Sequence, residues 1–578
     1  MKNNRLKEKV ILRLPQKLQK LPDNIKVGIS TVITSMGAAL SAVGFLFLTN
    51  FIFSQTYLMF ATRSKLYFVL ASFLLISSTS LLVGYLMAVF SPDAAGSGIP
   101  QVKTAYWTKF GYLNMKNILV KFLGGVLSIG GGNSLGREGP SVYIGSGVAS
   151  KLDGLMGTPR QKRQGAAVIG AAAGLAAAFN TPIASVTFVI EEILGDFNSR
   201  HLGRVVLSSV VGAFVVYAIL GRQPAFSLPS VDKISWIHYL IVPFVAIVAS
   251  FAGVAFQIGV LKWRGGFKKL KRIPKWLLPF FGGLITWALG IFVFMETGKI
   301  GIFGLGYQDL SNALNNHLEW KIAGLMVVAK LLATIVGYSF GGCGGIFAPA
   351  LFIGGMSGYF VGGLAGIWIP LTPADHIVLA VVGMSACLGA IVQAPLTSIL
   401  IVFEMTHQFS LVPGLLLGTI ISQAVARLAS HLNFYDALLI QDGHELHKIK
   451  PPHDLKGWQH LPISAVATPK PVFLEGSSMK SMQELIDQFP YNFFPVMESD
   501  ILTGIISRHD IIDSIKTGIK PIQKQAVICS PEQTIHDASK AFINHSVPMV
   551  LVGEPGTGKV TGLLTLHDLI RAQSSWNS

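Results

Sequence analysis

Five residues, Gly136-Arg137-Glu138-Gly139-Pro140, set an acid and a base among glycines inside a long stretch that is otherwise apolar enough for a membrane. Charge at that depth is costly, so a residue kept there has a functional role by default. Gly96-Ser97-Gly98-Ile99-Pro100 and Gly345-Ile346-Phe347-Ala348-Pro349 share the form Gly-x-x-x-Pro, and each also opens an apolar, helix-like run. Ser97 suits an N-cap, and Pro100, Pro140 and Pro349 stand where a missing N–H does no harm. The free first-turn amides would offer an anion partial positive charge without a full cation, which suits weak, releasable binding. Three helix N-termini are therefore expected to converge on one small spherical anion. Glu138, beside the same amides, could occupy the anion's place and be displaced or protonated. The alternative is an Arg137–Glu138 ion pair that only stabilises the fold.

The elements that position these residues belong to a polytopic membrane protein. With 51% apolar and 13% charged residues, the 578-residue chain is not a soluble globule. Apolar blocks at 27–61, 66–90, 205–220, 239–261, 276–295 and 322–338 are each long enough to span a bilayer, and roughly ten or more spans are expected in all. The first 26 residues lack a cleavable signal pattern. Basic clusters at Arg5, Lys7, Lys9, Arg13, Lys17, Lys20 and Lys26, and at Lys262, Arg264, Lys268, Lys269, Lys271, Arg272 and Lys275, should face the cytoplasm. Topology thus accounts for the net charge of +17, and no nucleic-acid partner is implied. Cys343, Cys387 and Cys529 suggest neither a disulfide framework nor a metal site.

The membrane region is duplicated. GAAAGLAAAFNTPIASVTFVIEE from Gly170 lines up with GMSACLGAIVQAPLTSILIVFEM from Gly383, matching Pro182 with Pro395, Ser185 with Ser398 and Glu191 with Glu404. Pro140 matches Pro349 at a nearly equal offset. Duplicated halves whose interrupted helices meet near the midplane are an architecture of transporters and pores, with the binding site at the repeat interface.

Gly96–Pro100, Gly136–Pro140, Gly345–Pro349 and GAAAGLAAAFNTP from Gly170 resemble, in order, the signatures of the CLC family of chloride channels and chloride/proton exchangers. The resemblance covers roughly residues 25–440. It implies an all-α fold of two inverted halves (about 25–222 and 234–440) with re-entrant helices, and a homodimer with one anion pathway per subunit. It makes Ser97 and Tyr435, in Asn433-Phe434-Tyr435-Asp436-Ala437, hydroxyl ligands of chloride, and Ile346 and Phe347 the source of backbone amides; an interfacial anchor is the alternative for Tyr435. Glu138 matches the family's external gating glutamate.

Channel or exchanger turns on Glu192. Exchangers of the family usually carry glutamate at this position, where it can pass protons between the cytoplasm and Glu138. Glu191 has a counterpart in Glu404 and reads as a structural helix-end residue, whereas Glu192 faces Met405 and breaks the repeat. The alternative for Glu192 is a solvated carboxylate at a cytoplasmic helix end. Lys103 and Arg137 could steer anions or serve as salt-bridge scaffolding; neither is assigned as a ligand of the central ion.

Residues 441–460 read as a polar linker that follows the cytoplasmic N-terminal segment (1–24) and the membrane region. A small α/β region then repeats Gly504-Ile505-Ile506-Ser507-Arg508-His509-Asp510 as Gly562-Leu563-Leu564-Thr565-Leu566-His567-Asp568, each a strand entering a helix. It resembles a tandem pair of CBS domains, 461–515 and 523–575. That resemblance implies adenine-nucleotide binding through Ser507, Asp510, Thr565 and Asp568, with a dimer-stabilising module as the equal alternative. Gly553-Glu554-Pro555-Gly556-Thr557-Gly558-Lys559 fits phosphate-loop spacing, but Val560 replaces the required Ser or Thr and a strand follows, so it reads as a hairpin turn. The reading is therefore a dimeric chloride/proton antiporter without a required cofactor, in the lipid bilayer of a bacterial inner membrane, with both termini cytoplasmic. A passive chloride channel is the alternative, and a membrane-anchored nucleotide sensor a third.

Overall fold

The computed structural model describes residues 22–196, 201–221, 224–229, 236–269, 273–444, 461–469, 471–476, 478–499, 501–545, 547–554 and 559–575. The basic residues from Arg5 to Lys20, Lys271 and Arg272, the linker from 445, the half-boundary positions 222 and 234, and the turn residues 555–558 lie outside the described residues. The chain forms two compact units, Met1–Ile449 and Lys450–Ser578.

The first unit repeats one run of helices. Its first half holds α1 (Asp23–Phe53, prolonged by a π-turn to Ala61), α2 (Lys65–Phe90), α3 (Ile99–Thr108), α4 (Met115–Gly130), α5 (Glu138–Leu155), α6 (Gln164–Phe179), α7 (Pro182–Phe188, prolonged by a π-turn to Leu194) and α8 (Leu202–Leu220). The second half follows in the same order with α9 (His238–Lys269), α10 (Leu278–Thr297), α11 (Tyr307–Leu314), α12 (Trp320–Ser339), α13 (Phe347–Ala365), α14 (Pro373–Val392), α15 (Pro395–Thr406) and α16 (Val412–Ala429), and α17 (Phe434–Gln441) closes the unit.

The breaks are written in the same local code twice. α6 ends on Asn180 and α14 on Gln393, both left-handed, and Pro182 and Pro395 then start the next helix. Because of such breaks, nine helical segments among the described residues are long and apolar enough to cross a membrane, while Gln164–Phe179 and Pro395–Thr406 are apolar but short. Six of the nine coincide with the blocks read from the sequence. α13 and α14 are almost wholly enclosed by protein, whereas α2 and α8 turn Leu70, Leu74 and Phe214 outward, as lipid-facing helices do.

Glycine sets a tight helix crossing at the same place in each half. A Cβ on Gly145 of α5 would strike the Gly170 carbonyl of α6, and one on Gly170 would strike the Gly145 carbonyl; Gly354 of α13 and Gly383 of α14 repeat the arrangement. The halves meet around a local two-fold axis. Gly136 and its repeat equivalent Gly345 exchange amide-to-carbonyl hydrogen bonds of 2.7 and 2.5 Å, an antiparallel pairing of equivalent residues that a two-fold axis between them produces. The Glu404 carboxylate accepts from the Ile183 and Ala184 amides at the start of α7 (2.9 and 2.7 Å), and Glu191 accepts from the Leu396 and Thr397 amides at the start of α15 (3.2 and 2.8 Å). Each half therefore caps a helix of the other.

The second unit has two small sheets. β2 (Leu474–Glu475) runs parallel to β3 (Phe493–Glu498), which is antiparallel to β4 (Ile501–Ser507). β5 (Ile528–Cys529), β6 (Met549–Gly553) and β7 (Val560–Thr565) repeat this pattern, and β1 (Thr468–Pro469) joins β7. The strand β1, read with the first repeat, thus belongs to the second repeat's sheet. Helices α18 (Met479–Gln488), α19 (Arg508–Thr517), α20 (Ile535–His545) and α21 (Leu566–Ser575) complete the two units of the repeat. Gly553 pairs with Val560 across the β6–β7 hairpin, and Val560 opens strand β7 where a phosphate-binding loop would open a helix.

Candidate anion site and its buried acids

The helix starts named by the three Gly-x-x-x-Pro segments carry no side-chain cap: α3 begins after Gly98, α5 at Glu138 and α13 at Phe347 after Ile346. Side-chain caps are supplied by Ser64 on α2, Asn114 on α4, Thr372 on α14 and Asn433 on α17, while α1, α6, α8, α10, α12 and α16 also start without one, so what marks the three filter starts is their burial around one junction. Ser97 was expected as the cap of α3. The structure corrects this: Gly98, left-handed at φ 98°, takes the N-cap position, and the Ser97 hydroxyl is buried without a hydrogen-bond partner. Tyr307 of α11, after Gly306 (φ 78°), also starts without a cap and is the second half's counterpart of α3. The sequence reading missed it because Gly304-Leu305-Gly306-Tyr307-Gln308 has no proline.

Three buried oxygen-bearing groups converge here. Ser97 is held by its own amide, which donates to the Tyr338 hydroxyl at 3.2 Å, a contact the sequence did not signal. Tyr435 is fully buried, its hydroxyl unpartnered and its ring centroid 6.5 Å from that of Phe347. Glu138 is fully buried, and its carboxylate has no side-chain partner and lies against the amides of Arg137, Glu138 and Ala348. A Cβ on Gly139 would overlap Ser97, and one on Gly345 would lie 2.9 Å from the Gly139 amide and 3.2 Å from Glu138 Oε2, so the three filter segments abut. Gly96 is fixed at both polar groups, its amide to the Gly342 carbonyl (3.0 Å) and its carbonyl to the Gly344 amide (3.1 Å). Lys121, buried in α4, donates to the Ala94 and Gly96 carbonyls at 2.8 and 2.6 Å. Ile99, Pro100, Gly136, Pro140, Ala348 and Pro349 are buried around this junction. No ion pair joins Arg137 to Glu138 among the described residues; the Arg137 guanidinium lies 5.5 Å over the Tyr307 ring instead.

Glu192 is 1% exposed, which overturns the solvated-carboxylate alternative. Its Oε1 meets Lys103 Nζ at 2.7 Å and its Oε2 accepts from Asn433 Nδ2 at 3.1 Å. Lys103 also pairs with Asp436 at 2.6 Å, so scaffolding describes Lys103 better than steering. Asn433 caps α17 through the Asp436 amide (2.7 Å), and α17 carries Tyr435. The second acid is thereby tied to the helix of the second hydroxyl.

In the second unit, the four nucleotide-contact candidates are paired in helix caps. Ser507 Oγ donates to Asp510 at 2.5 Å and accepts from the Asp510 amide at 3.1 Å; Thr565 and Asp568 repeat this, with the hydroxyl-to-carboxylate bond at 2.7 Å. Thr534 and Asp537 form a third such pair, outside the strand–helix motif.

A duplicated helical membrane protein, with uncapped helix starts and orphaned hydroxyls at the repeat interface, has the architecture of an anion-conducting transporter or channel. The family model described as "Voltage gated chloride channel" matches residues 79–427, and the CBS-domain model matches residues 519–575. The chain belongs to this CLC family and carries a CBS domain. The H(+)/Cl(-) exchange transporter ClcA of Klebsiella pneumoniae is 30% identical over 380 residues, covering 63% of this chain and 78% of the relative. A slow cyanobacterial Cl-/H+ antiporter of known structure aligns with TM-score 0.64 and 26% identity over 72% of this chain and 97% of that one. A eukaryotic CLC transporter shares the fold at TM-score 0.58 and 20% identity, covering 94% of this chain and 97% of that one.

Proposed function

We propose that the chain is a secondary-active chloride/proton antiporter. Chloride rests between the Ser97 and Tyr435 hydroxyls and the amides of Ile346 and Phe347; Glu138 competes for the outer part of the same amide field and takes up a proton when displaced. The carrying observation is that the unpartnered Ser97 and Tyr435 hydroxyls and Glu138, which has no side-chain partner, are buried together with uncapped helix starts. Such groups cost free energy unless a ligand satisfies them. Glu192 hands the proton to the cytoplasm by a route separate from the anion's; its enclosure beside α17, the helix that carries Tyr435, supports that reading. The exchanger names of the relatives favour antiport over a channel.

In liposomes holding the full chain, an imposed chloride gradient should drive protons uphill at clamped voltage with no pH gradient. Glu192→Gln should abolish the proton movement and leave chloride flux. Chloride flux with no proton movement in the unsubstituted protein would make it a channel.

The protein works as a homodimer in a bacterial inner membrane with both termini in the cytoplasm, a reading supported by family membership and the basic residues Lys262, Arg264 and Lys268. Cross-linking of the purified protein and protease accessibility of its termini test these points. The CBS pair, 461–515 and 523–575, regulates the membrane unit by binding adenine nucleotide. Opening the Ser507–Asp510 and Thr565–Asp568 caps would free those side chains for ribose or phosphate; titration of the full chain with ATP, reading heat, tests this, and no heat would leave a stabilising module.

A further inference from the structure

One buried ammonium serves two carboxylates. Lys103 Nζ of α3 lies 2.7 Å from Glu192 Oε1, in the π-turn that ends α7, and 2.6 Å from Asp436 Oδ1, in the first turn of α17. The side chains of Lys103 and Glu192 are each 2% exposed and that of Asp436 is 32% exposed, so the cluster is closed at Glu192 and open at Asp436. Asn433 ties the two acids together: its Nδ2 donates to Glu192 Oε2 at 3.1 Å, and its Oδ1 accepts from the Asp436 amide at 2.7 Å.

Of the elements packed on the turn that carries Glu192, α3 faces it with Lys103, α17 brings Tyr435 and Asp436, and α6 carries no ionisable residue. Its chain neighbour Glu191 is engaged by the Leu396 and Thr397 amides, and Asp442 at the far end of α17 pairs with Arg264 and Lys268. Two carboxylates and one ammonium leave the cluster one net negative charge. A proton on Glu192 therefore brings it to neutrality and leaves Lys103 paired with Asp436. Without Asp436, the same proton would break the Lys103–Glu192 pair and strand a buried ammonium, which is costly.

We propose that Asp436 is a positioning residue for the proton step: it takes over the Lys103 ammonium when Glu192 is protonated and shares it again when the proton leaves. One proton passes between water and a Glu192 carboxylate oxygen, and the hydrogen bond from Lys103 to Glu192 opens and re-forms with it. Glu192 is here the proton carrier of the proposed antiport, on which this role for Asp436 rests.

The test is an infrared titration of the full chain in lipid bilayers, following the protonated-carboxyl band that Glu192→Gln removes. Asp436→Asn leaves Lys103 wholly to the Glu192 carboxylate. It should move the midpoint of the band to more acid pH by at least about one unit, a tenfold loss of proton affinity and the lower end of what a neighbouring charge does to a carboxyl. Asp436→Glu should restore the midpoint. Lys103→Met removes the cation and should move it to the alkaline side; a general loosening of the fold would not give opposite signs. Should Lys103→Met not fold, the two Asp436 variants decide alone. An unchanged midpoint in Asp436→Asn, no recovery in Asp436→Glu, shifts of the same sign in Asp436→Asn and Lys103→Met, or no such band at any pH where the protein is folded would overturn the proposal. In liposomes near neutral pH, Asp436→Asn should also move fewer protons per chloride than the unsubstituted protein. If the unsubstituted protein moves none, the antiport reading fails, and the infrared midpoints still decide whether Asp436 governs the protonation of Glu192.

Discussion

At the residue scale the decisive property is whether a buried polar atom has a partner. Glu191, Glu192 and Glu138 are all carboxylates in apolar surroundings, yet Glu191 caps α15, Glu192 is paired and Glu138 has no side-chain partner. A paired buried acid is held in one position; an unpaired one is free to move. Lys103 therefore matters through Glu192. Lys103→Met should destabilise the protein by about 3–5 kcal/mol, because it removes the cation from a buried carboxylate. The double variant Lys103→Met/Glu192→Gln should recover most of that loss. Thermal unfolding of the three proteins in detergent checks this, and a neutral Lys103→Met would show that the pair does not hold the fold. Glu192 was legible in the sequence because it breaks the repeat at Met405. That its carboxylate is enclosed was not, because Lys103 and Asn433 lie far from it along the chain and meet it only in the fold.

At the element scale the fold depends on where helices stop and how closely they cross. The stops were legible: Asn-Thr-Pro at 180–182 and Gln-Ala-Pro at 393–395 are local chemistry, and both end helices as such sequences should. The crossings were legible only as glycine abundance. Gly145→Ala places a methyl against the Gly170 carbonyl and should cost about 3 kcal/mol or prevent folding. Gly203→Ala near the start of α8 meets nothing within 4 Å and should be neutral or stabilising by up to about 1 kcal/mol. Expression level and unfolding temperature measured side by side separate the two; equal behaviour would refute the close-crossing account. Ser97 shows the limit of local rules. Its type suits a cap, but the left-handed Gly98 that follows it occupies that position and leaves the hydroxyl without a partner.

At the scale of the whole molecule, the residues proposed for the ion site, from Ser97 to Tyr435, all belong to the unit Met1–Ile449, and none comes from the C-terminal unit. A chain ending at Ile449 should therefore still move chloride, and chloride efflux from liposomes at equal protein density measures it. Complete loss of flux in a folded truncated protein would make the C-terminal unit obligatory for transport and not only regulatory.

The amino-acid sequence by itself determined the membrane class, the duplication, the three Gly-x-x-x-Pro helix starts and the strand–helix repeat of the C-terminal unit. These rest on composition, on periodicity and on backbone preferences that act over a few residues. Only the tertiary structure decided that Gly136 and Gly345 pair across a two-fold axis, that Glu191 and Glu404 cap each other's halves, and that α11 starts after a left-handed Gly306 as α3 starts after Gly98. It also decided which oxygens go without partners. A hydrogen-bond partner is supplied by whatever segment arrives from elsewhere in the chain, so an atom left unsatisfied is a property of the assembled fold and not of any stretch of sequence.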